Sequence, residues 1–267
     1  MSIPKDFKCL VTGAGRGNRR AIVGKLHAQG AIVYALSKNP DNLKKLKRRV
    51  FKQAIKTALE PIETVDCVIN NAGIYEPTEF VTTTTESFDN HFNINLKAVL
   101  VVSQIMAKKM IERGKGGSIV NMSSVSAQRP EPGCAIYCCS KAALDMLTKT
   151  MAVELGPHKI RVNSVNPGNV DTDMNRPESY ANKEELELVD KGFQSILDKT
   201  PTGVVWMPMD DIVNTTLFLA SNLTSQITGQ CLAVDGGIPL STIVSNLKFC
   251  EEFDAAIRKA EKCCDFE

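Results

Sequence analysis

The sequence lacks the features that would place it in several broad functional classes. Its formal net charge is only +2, too little for a bulk field to draw the chain to nucleic acid or an anionic membrane, although charge can still cluster locally. No run approaches the roughly 20 consecutive apolar residues needed to span a bilayer. The opening MSIPKDFKCLVTG holds too short an apolar stretch for a secretory signal. There is no internal repeat and no low-complexity linker. Cysteine is plentiful, at nine residues, yet no C-x-x-C pair occurs. Seven of them sit within apolar runs (Cys9, Cys67, Cys231) or as the neighbours Cys138-Cys139 and Cys263-Cys264. Reduced thiols and no metal site are the expectation, in a soluble, cytoplasmic protein.

What is present is an ordinary globular composition, 43% hydrophobic and 23% charged over 267 residues, enough for a sizeable core. Apolar runs of strand length recur at Phe7 to Thr12, Ala31 to Leu36, Val65 to Asn70, Ser118 to Met122, Ile160 to Val165 and Cys231 to Val234. Each reads as a strand buried on both faces. Helical periodicity fills most of the gaps, as at Leu43, Leu46, Val50 and Ala54, and later at Ala142, Leu144, Met146, Leu147 and Met151. Such alternation predicts an α/β chain with one parallel sheet and helices on both faces. The main domain is placed at residues 1–240. In the tail, 241–267, Phe249, Phe253, Ile257 and Ala260 at helical spacing predict a short docking helix.

The first strand ends in Thr12-Gly13-Ala14-Gly15-Arg16-Gly17, and a helical segment follows at once. A glycine-rich turn from strand to helix lets backbone N–H groups and the positive helix end approach a pyrophosphate. A tight turn without a ligand would use the same glycines. The second strand ends at Leu36-Ser37-Lys38, without the acidic residue that holds the ribose 2′-hydroxyl of NAD. Lys38 and Arg16 suit a 2′-phosphate, or serve only as solvated charges. Tyr137 and Lys141 stand four residues apart in a helical segment and share one face. An ammonium beside a phenol favours the phenolate and lowers the tyrosine pKa towards the range useful for proton transfer. Ser124, at the end of the preceding strand, and Asn95, further upstream, complete the constellation.

These residues together resemble the short-chain dehydrogenase/reductase family. Thr12 to Gly17, Asn70-Asn71-Ala72-Gly73, Asn95, Ser124, Tyr137-x-x-x-Lys141 and Pro167-Gly168 stand in that family's order and spacing across residues 7–240. Ile136 to Thr148, running on to Glu154 to Asn163, is most similar to the dicarbonyl/L-xylulose reductase group. The resemblance implies a single Rossmann-type, doubly wound sheet and a homo-oligomer, dimer or tetramer. It also implies NADP(H)-dependent reduction of a small α-dicarbonyl or ketose to an alcohol. Tyr137 would protonate the carbonyl oxygen. Lys141 would tune Tyr137 and hold the nicotinamide ribose, and Ser124 would orient the substrate oxygen. Asn95 would position a water feeding protons towards Lys141. Gly13, Gly15, Arg16, Gly17, Ser37 and Lys38 would hold the cofactor's phosphates. Asn71, Ala72 and Gly73 would pass beneath the cofactor, and Pro167, Gly168, Val170 and Thr172 would line the nicotinamide pocket.

Two departures from the pattern are legible. Asn18 and Arg19 follow Gly17 where the family continues with an apolar residue and a further glycine. A long cationic side chain there is expected to crowd the turn. Between Lys38 and Thr64 only one basic helical pattern fits, so the family's third, edge strand is expected to be missing. The lysines and arginines from Lys44 to Lys56 read as a solvated helix face rather than an anion site. Alternatives to the carbonyl reductase are a 3-oxoacyl or steroid ketone reductase, and a non-catalytic family member with impaired cofactor binding that acts as an interaction protein.

Overall fold

The computed structural model describes residues 3–4, 6–13, 17–36, 55–170, 172, 200–204 and 206–237, with the backbone alone at 17–20. Six parallel strands form one sheet: β1 (Lys8–Thr12), β2 (Ile32–Leu36), β3 (Cys67–Asn70), β4 (Gly117–Met122), β5 (Ile160–Pro167) and β6 (Cys231–Val234). Their order is β2-β1-β3-β4-β5-β6. Between the strands lie α1 (Gly17–Ala28), α2 (Thr85–His91), α3 (Ala98–Arg113), α4 (Ala135–Leu155) and α5 (Met209–Ala220).

Strand alternation sorts the core into two layers. Cys9 and Val11 of β1 face the layer holding Ile22 and Leu26 of α1 and Ile212 and Leu217 of α5. Leu10, between them in sequence, faces Val102, Met106 and Met110 of α3 and Met151 of α4. β1, β3, β4 and β5 are covered on both faces by these helices, which explains why nearly all of their residues are buried. β2 and β6 depart from the expectation of full burial. They are the outermost strands among the described residues, and an edge position is invisible in a local apolar run.

No strand occurs at 55–66, where a helical stretch at 55–59 leads into irregular chain. The rest of the segment from which the third family strand is expected to be missing, 37–54, lies outside the described residues, as does the tail beyond 237. Among the described residues no helix is long and apolar enough to cross a membrane.

The chain runs outward from β1 to β2 and then returns to the other side of β1 with β3. This reversal of strand order opens a crevice beyond the carboxyl ends of β1 and β3, the place where open α/β sheets bind ligands.

Candidate active site

The loops after β1 and β3 meet in that crevice. The Thr12 hydroxyl accepts hydrogen bonds from the Asn71 N–H at 3.1 Å and the Ala72 N–H at 3.2 Å. Gly13 has φ +72°, and a Cβ there would lie 2.9 Å from the Ala72 Cα. Glycine is therefore required by both conformation and space. Helix α1 starts at Gly17. Gly15, Arg16, Ser37 and Lys38 lie outside the described residues, as do the side chains of Asn18 and Arg19.

At the far side, Pro167 ends β5, and the Gly168 N–H donates to the Val234 carbonyl at 3.0 Å. Val170 is buried and bridges to Met207, while Thr172 is half-buried. The Asn71 Nδ2 is buried without a hydrogen-bond partner. A free donor beside a glycine-lined cleft at the switch point fits a polar, extended cofactor such as a dinucleotide. Among the described residues no group of three His, Cys, Asp or Glu is placed to hold a metal ion.

Helix α4 carries Tyr137 and Lys141 on one face, as their spacing predicts. The Lys141 Nζ donates to the Met122 carbonyl at the end of β4, 2.8 Å away, and lies 5.6 Å from the centre of the Tyr137 ring. A Cβ on Gly73 would come within 3.3 Å of the Asn95 Oδ1 and 3.6 Å of the Lys141 Nζ, so Gly73, Asn95 and Lys141 converge. Ser124 follows β4, and its hydroxyl lies near enough to Tyr137 to lower the phenol's pKa. The Ser124 Oγ also accepts from the Ser126 N–H at 3.1 Å and donates to the Ser126 hydroxyl at 3.0 Å.

Asn95 lies in a π-helical turn, Phe92–Lys97, between α2 and α3, an irregularity often found at functional sites. Its amide is well used inside the protein. Oδ1 accepts from the Ile74 N–H at 2.9 Å, and Nδ2 donates at 3.0 Å to both the Ile74 carbonyl and the Ser140 hydroxyl. The side chain thus clamps the loop after β3 to α4. Any water it serves must use the remaining lone pair or the backbone carbonyl.

The electrostatics of Tyr137 differ from the reading of Tyr137 and Lys141 as an isolated pair. Burial pushes the phenol above its ordinary range; the nearby Ser124 hydroxyl pulls the other way, and the Glu131 carboxylate raises it further. Lys141 directs its ammonium at a carbonyl oxygen. Desolvation dominates, and it favours the neutral phenol.

The family model described as enoyl-(acyl carrier protein) reductase matches residues 13–239. The chain belongs to the short-chain dehydrogenase/reductase family. It is 42% identical over 241 residues to L-xylulose reductase of Mus musculus, covering 86% of this chain and 95% of the relative. It is 41% identical over 242 residues to carbonyl reductase [NADPH] 2 of Sus scrofa, covering 86% and 96%. Among solved structures, gluconate 5-dehydrogenase from Burkholderia cenocepacia, in complex with NADP and tartrate, superposes with a TM-score of 0.75 at 28% identity, covering 88% of this chain and 96% of that one. This short-chain dehydrogenase/reductase is accordingly an oxidoreductase.

Around the four motif residues, this dehydrogenase/reductase gathers others that sequence reading missed. Tyr75 stands edge-on to Tyr137 with ring centres 5.0 Å apart, and its hydroxyl meets the Cys134 thiol at 3.3 Å. Buried His91 receives the Glu76 N–H on Nε2 at 3.3 Å, and its Nδ1 lies 2.9 Å from the Ser87 carbonyl. It pins the loop that carries Tyr75. Glu131 is paired with buried Arg129 at 3.7 Å. Asn166 joins Asp145 to the Ser124 carbonyl. The one available signal was proximity to a motif: Tyr75 follows Asn70 to Gly73, and Asn166 precedes Pro167.

Proposed function

We propose that this oxidoreductase is an NADPH-dependent carbonyl reductase whose substrates are small α-dicarbonyls or ketoses such as L-xylulose, with Tyr137 as the proton donor. The observation that carries this reading is the meeting of Ser124 and Tyr137 at the carboxyl end of the sheet. Burial holds the phenol in its protonated form there. A phenol that keeps its proton at neutral pH is an acid in waiting, which suits reduction of a carbonyl better than oxidation of an alcohol.

Bound NADPH supplies a hydride. Gly13, Gly15, Arg16, Gly17, Ser37 and Lys38 would hold its phosphates, and Asn71, Ala72 and Gly73 would support it from the loop after β3. Lys141 and Tyr137 would hold the nicotinamide ribose, and Pro167, Gly168, Val170 and Thr172 would line the nicotinamide end. The orphaned Asn71 Nδ2 is a ready donor for this purpose. Ser124 donates to the substrate oxygen and orients it, and Tyr137 protonates that oxygen as negative charge develops on it. Asn95 keeps the loop after β3 in register with α4 and anchors a water leading to Lys141. The polar surroundings of Tyr137, with Ser124, Tyr75 and Glu131, suit a small hydroxylated substrate. The relatives named L-xylulose reductase and carbonyl reductase [NADPH] 2 support the same class.

The enzyme is further read as a cytosolic homo-oligomer, dimer or tetramer. Outer positions of α3 and α4 leave Ile111, Met146 and Val153 exposed, Met146 at 61% and Val153 at 79%. Light scattering that returns a monomer at micromolar concentration would remove the oligomer.

Following NADPH absorbance with diacetyl, L-xylulose, a 3-oxoacyl thioester and a steroid ketone tests the central reading. Turnover of the first two, and its loss in a folded Tyr137→Phe variant, is the result expected. Preference for the thioester or the steroid would overturn the substrate class. NADPH binding without turnover of any carbonyl would overturn the activity.

A further inference from the structure

We propose that His91 is a positioning residue for Tyr137, acting on it through Tyr75, an inference that rests on Tyr137 being the proton donor. His91 is the last residue of α2 and is fully buried. Its Nε2 accepts the Glu76 N–H at 3.3 Å, and its Nδ1 lies 2.9 Å from the Ser87 carbonyl and 3.4 Å from the Ser87 hydroxyl. A ring nitrogen that accepts an N–H carries no proton of its own, so the proton sits on Nδ1 and is donated to the Ser87 carbonyl. The ring is held in one tautomer with both nitrogens occupied.

Asn95 stands four residues further on, in the π-helical turn, and works on the same loop. It accepts from the Ile74 N–H and donates to the Ile74 carbonyl, while His91 accepts from the Glu76 N–H two residues later. The two side chains form successive rungs of one clamp, and Tyr75 is the residue between the rungs. Its hydroxyl accepts from the Cys134 thiol at 3.3 Å, and the Thr78 N–H beyond it donates to the Gly133 carbonyl at 2.7 Å. Tyr75 is thus tied through its backbone neighbours on one side and through the residue that opens α4 on the other.

The clamp ends on the Tyr137 ring. Tyr75 meets it at an interplanar angle of 84° with ring centres 5.0 Å apart, and His91 meets it at 75° with centres 6.5 Å apart. Both pairs lie within the range in which perpendicular aromatic rings attract. A phenol must bring its oxygen to hydrogen-bond distance of the group it protonates. A small swing about χ1 is cheap, and it moves the hydroxyl furthest of all, because that group sits at the tip of the side chain. Packing against a fixed Tyr75 removes this freedom.

The residues expected against the cofactor are held separately. The Asn71 and Ala72 N–H groups are tied to the Thr12 hydroxyl, and Ile74 is tied to Asn95. Loss of the His91 rung therefore releases Glu76 and Tyr75 without untying Asn71 to Gly73. The expected signature is a fall in kcat with NADPH affinity preserved. A role confined to the fold would lower stability and leave kcat per folded molecule unchanged.

Two substitutions at His91 separate the ring from the hydrogen bond. His91→Phe keeps a ring beside Tyr137 and removes the acceptor, whereas His91→Gln removes the ring and keeps an acceptor at about the reach of Nε2. With NADPH and diacetyl, His91→Phe should lower kcat roughly ten- to hundredfold, the scale of a displaced catalytic group. NADPH binding followed by fluorescence titration should stay at the wild-type value, and His91→Gln should recover most of the lost kcat. Tyr75→Leu should reproduce the fall, and adding His91→Phe to it should cost little more, because both act along one path. If His91→Phe does not fold, Tyr75→Leu decides alone. Wild-type kcat in folded His91→Phe or in Tyr75→Leu would overturn the inference, as would a His91→Gln enzyme as slow as His91→Phe or fully additive losses in the double variant. Substantial turnover by Tyr137→Phe, assayed alongside, would instead sink the donor assignment on which the inference rests.

Discussion

Asn166 donates through one Nδ2 group to two acceptors, the Asp145 carboxylate at 2.7 Å and the Ser124 backbone carbonyl at 3.0 Å. Asp145 also accepts from the Ser164 hydroxyl at 3.1 Å. A carboxylate two turns beyond Tyr137 on the same helix therefore fixes the residue that holds the Ser124 backbone. Asp145→Ala leaves one buried N–H of the Asn166 amide without an acceptor, while the Ser164 hydroxyl keeps the Asn166 Oδ1 at 2.9 Å; the orphaned donor costs about 1–3 kcal/mol. The variant should unfold at lower urea concentration and lose turnover through displacement of Ser124. Wild-type kcat in a destabilised Asp145→Ala enzyme would show that this network supports the fold but not the chemistry.

Tyr75 is expected to govern part of the alkaline stability. Burial lifts its phenol well above the ordinary range, and the Cys134 thiol and Glu131 add to the lift. In the unfolded chain a tyrosine titrates near pKa about 10. The folded state thus keeps its full advantage below roughly pH 10. It loses that advantage as pH climbs from there through the raised folded value, because the unfolded chain gives up the proton first. Tyr75→Phe keeps the ring against Tyr137 and removes the titrating group. Urea unfolding between pH 8 and 11 should show a shallower alkaline decline in the variant. Parallel curves would mean that other groups carry the decline.

Gly13 offers a direct test of the cofactor crevice. Adding one methyl group at φ +72°, 2.9 Å from the Ala72 Cα, forces the loops after β1 and β3 apart. A left-handed conformation alone costs an L-residue roughly 1–2 kcal/mol. Gly13→Ala should lower thermal stability and shrink the NADPH-induced rise in melting temperature. An undiminished rise would place the cofactor away from this turn.

Much of this architecture was readable from local pattern, and the failures share one cause. Cys231–Val234 is a strand with the boundaries its sequence implies, and Tyr137 and Lys141 share a helix face because four-residue spacing is a local property. β5 runs on to Pro167 because Asn166 and Pro167 pair with Ala233 and Val234 of β6, a partnership that sequence distance conceals. The exposure of β2 and β6 reflects position in the sheet, which a single run does not encode. The site beyond the motif residues is equally non-local. Thr78 donates to the Gly133 carbonyl at 2.7 Å, bringing the Tyr75 loop against the turn that holds Glu131 and Cys134. Burial of Tyr137 is what raises its phenol, with Glu131 and Cys134 adding to it, and so an argument confined to Tyr137 and Lys141 gave the opposite sign.

Cofactor choice is expected to turn on Lys38. Strand β2 ends at Leu36, and the sequence continues with Ser37 and Lys38, where NAD enzymes of this architecture place an acid on the ribose 2′-hydroxyl. A lysine there gains a charge-assisted hydrogen bond from a 2′-phosphate, whereas a carboxylate repels that phosphate and accepts from the free hydroxyl. Lys38→Asp should therefore raise KM for NADPH and lower it for NADH. Losing one charged hydrogen bond, about 1.5–3 kcal/mol, corresponds to roughly ten- to hundredfold in affinity. Because Lys38 is remote from Tyr137 in sequence and role, kcat at saturating cofactor should stay near the wild-type value. The kcat/KM ratio for NADPH over NADH, measured in both forms with one substrate, decides it. A ratio unmoved by Lys38→Asp would assign the 2′-phosphate to Arg16 alone, and a wild-type ratio at or below one would overturn the NADPH preference itself.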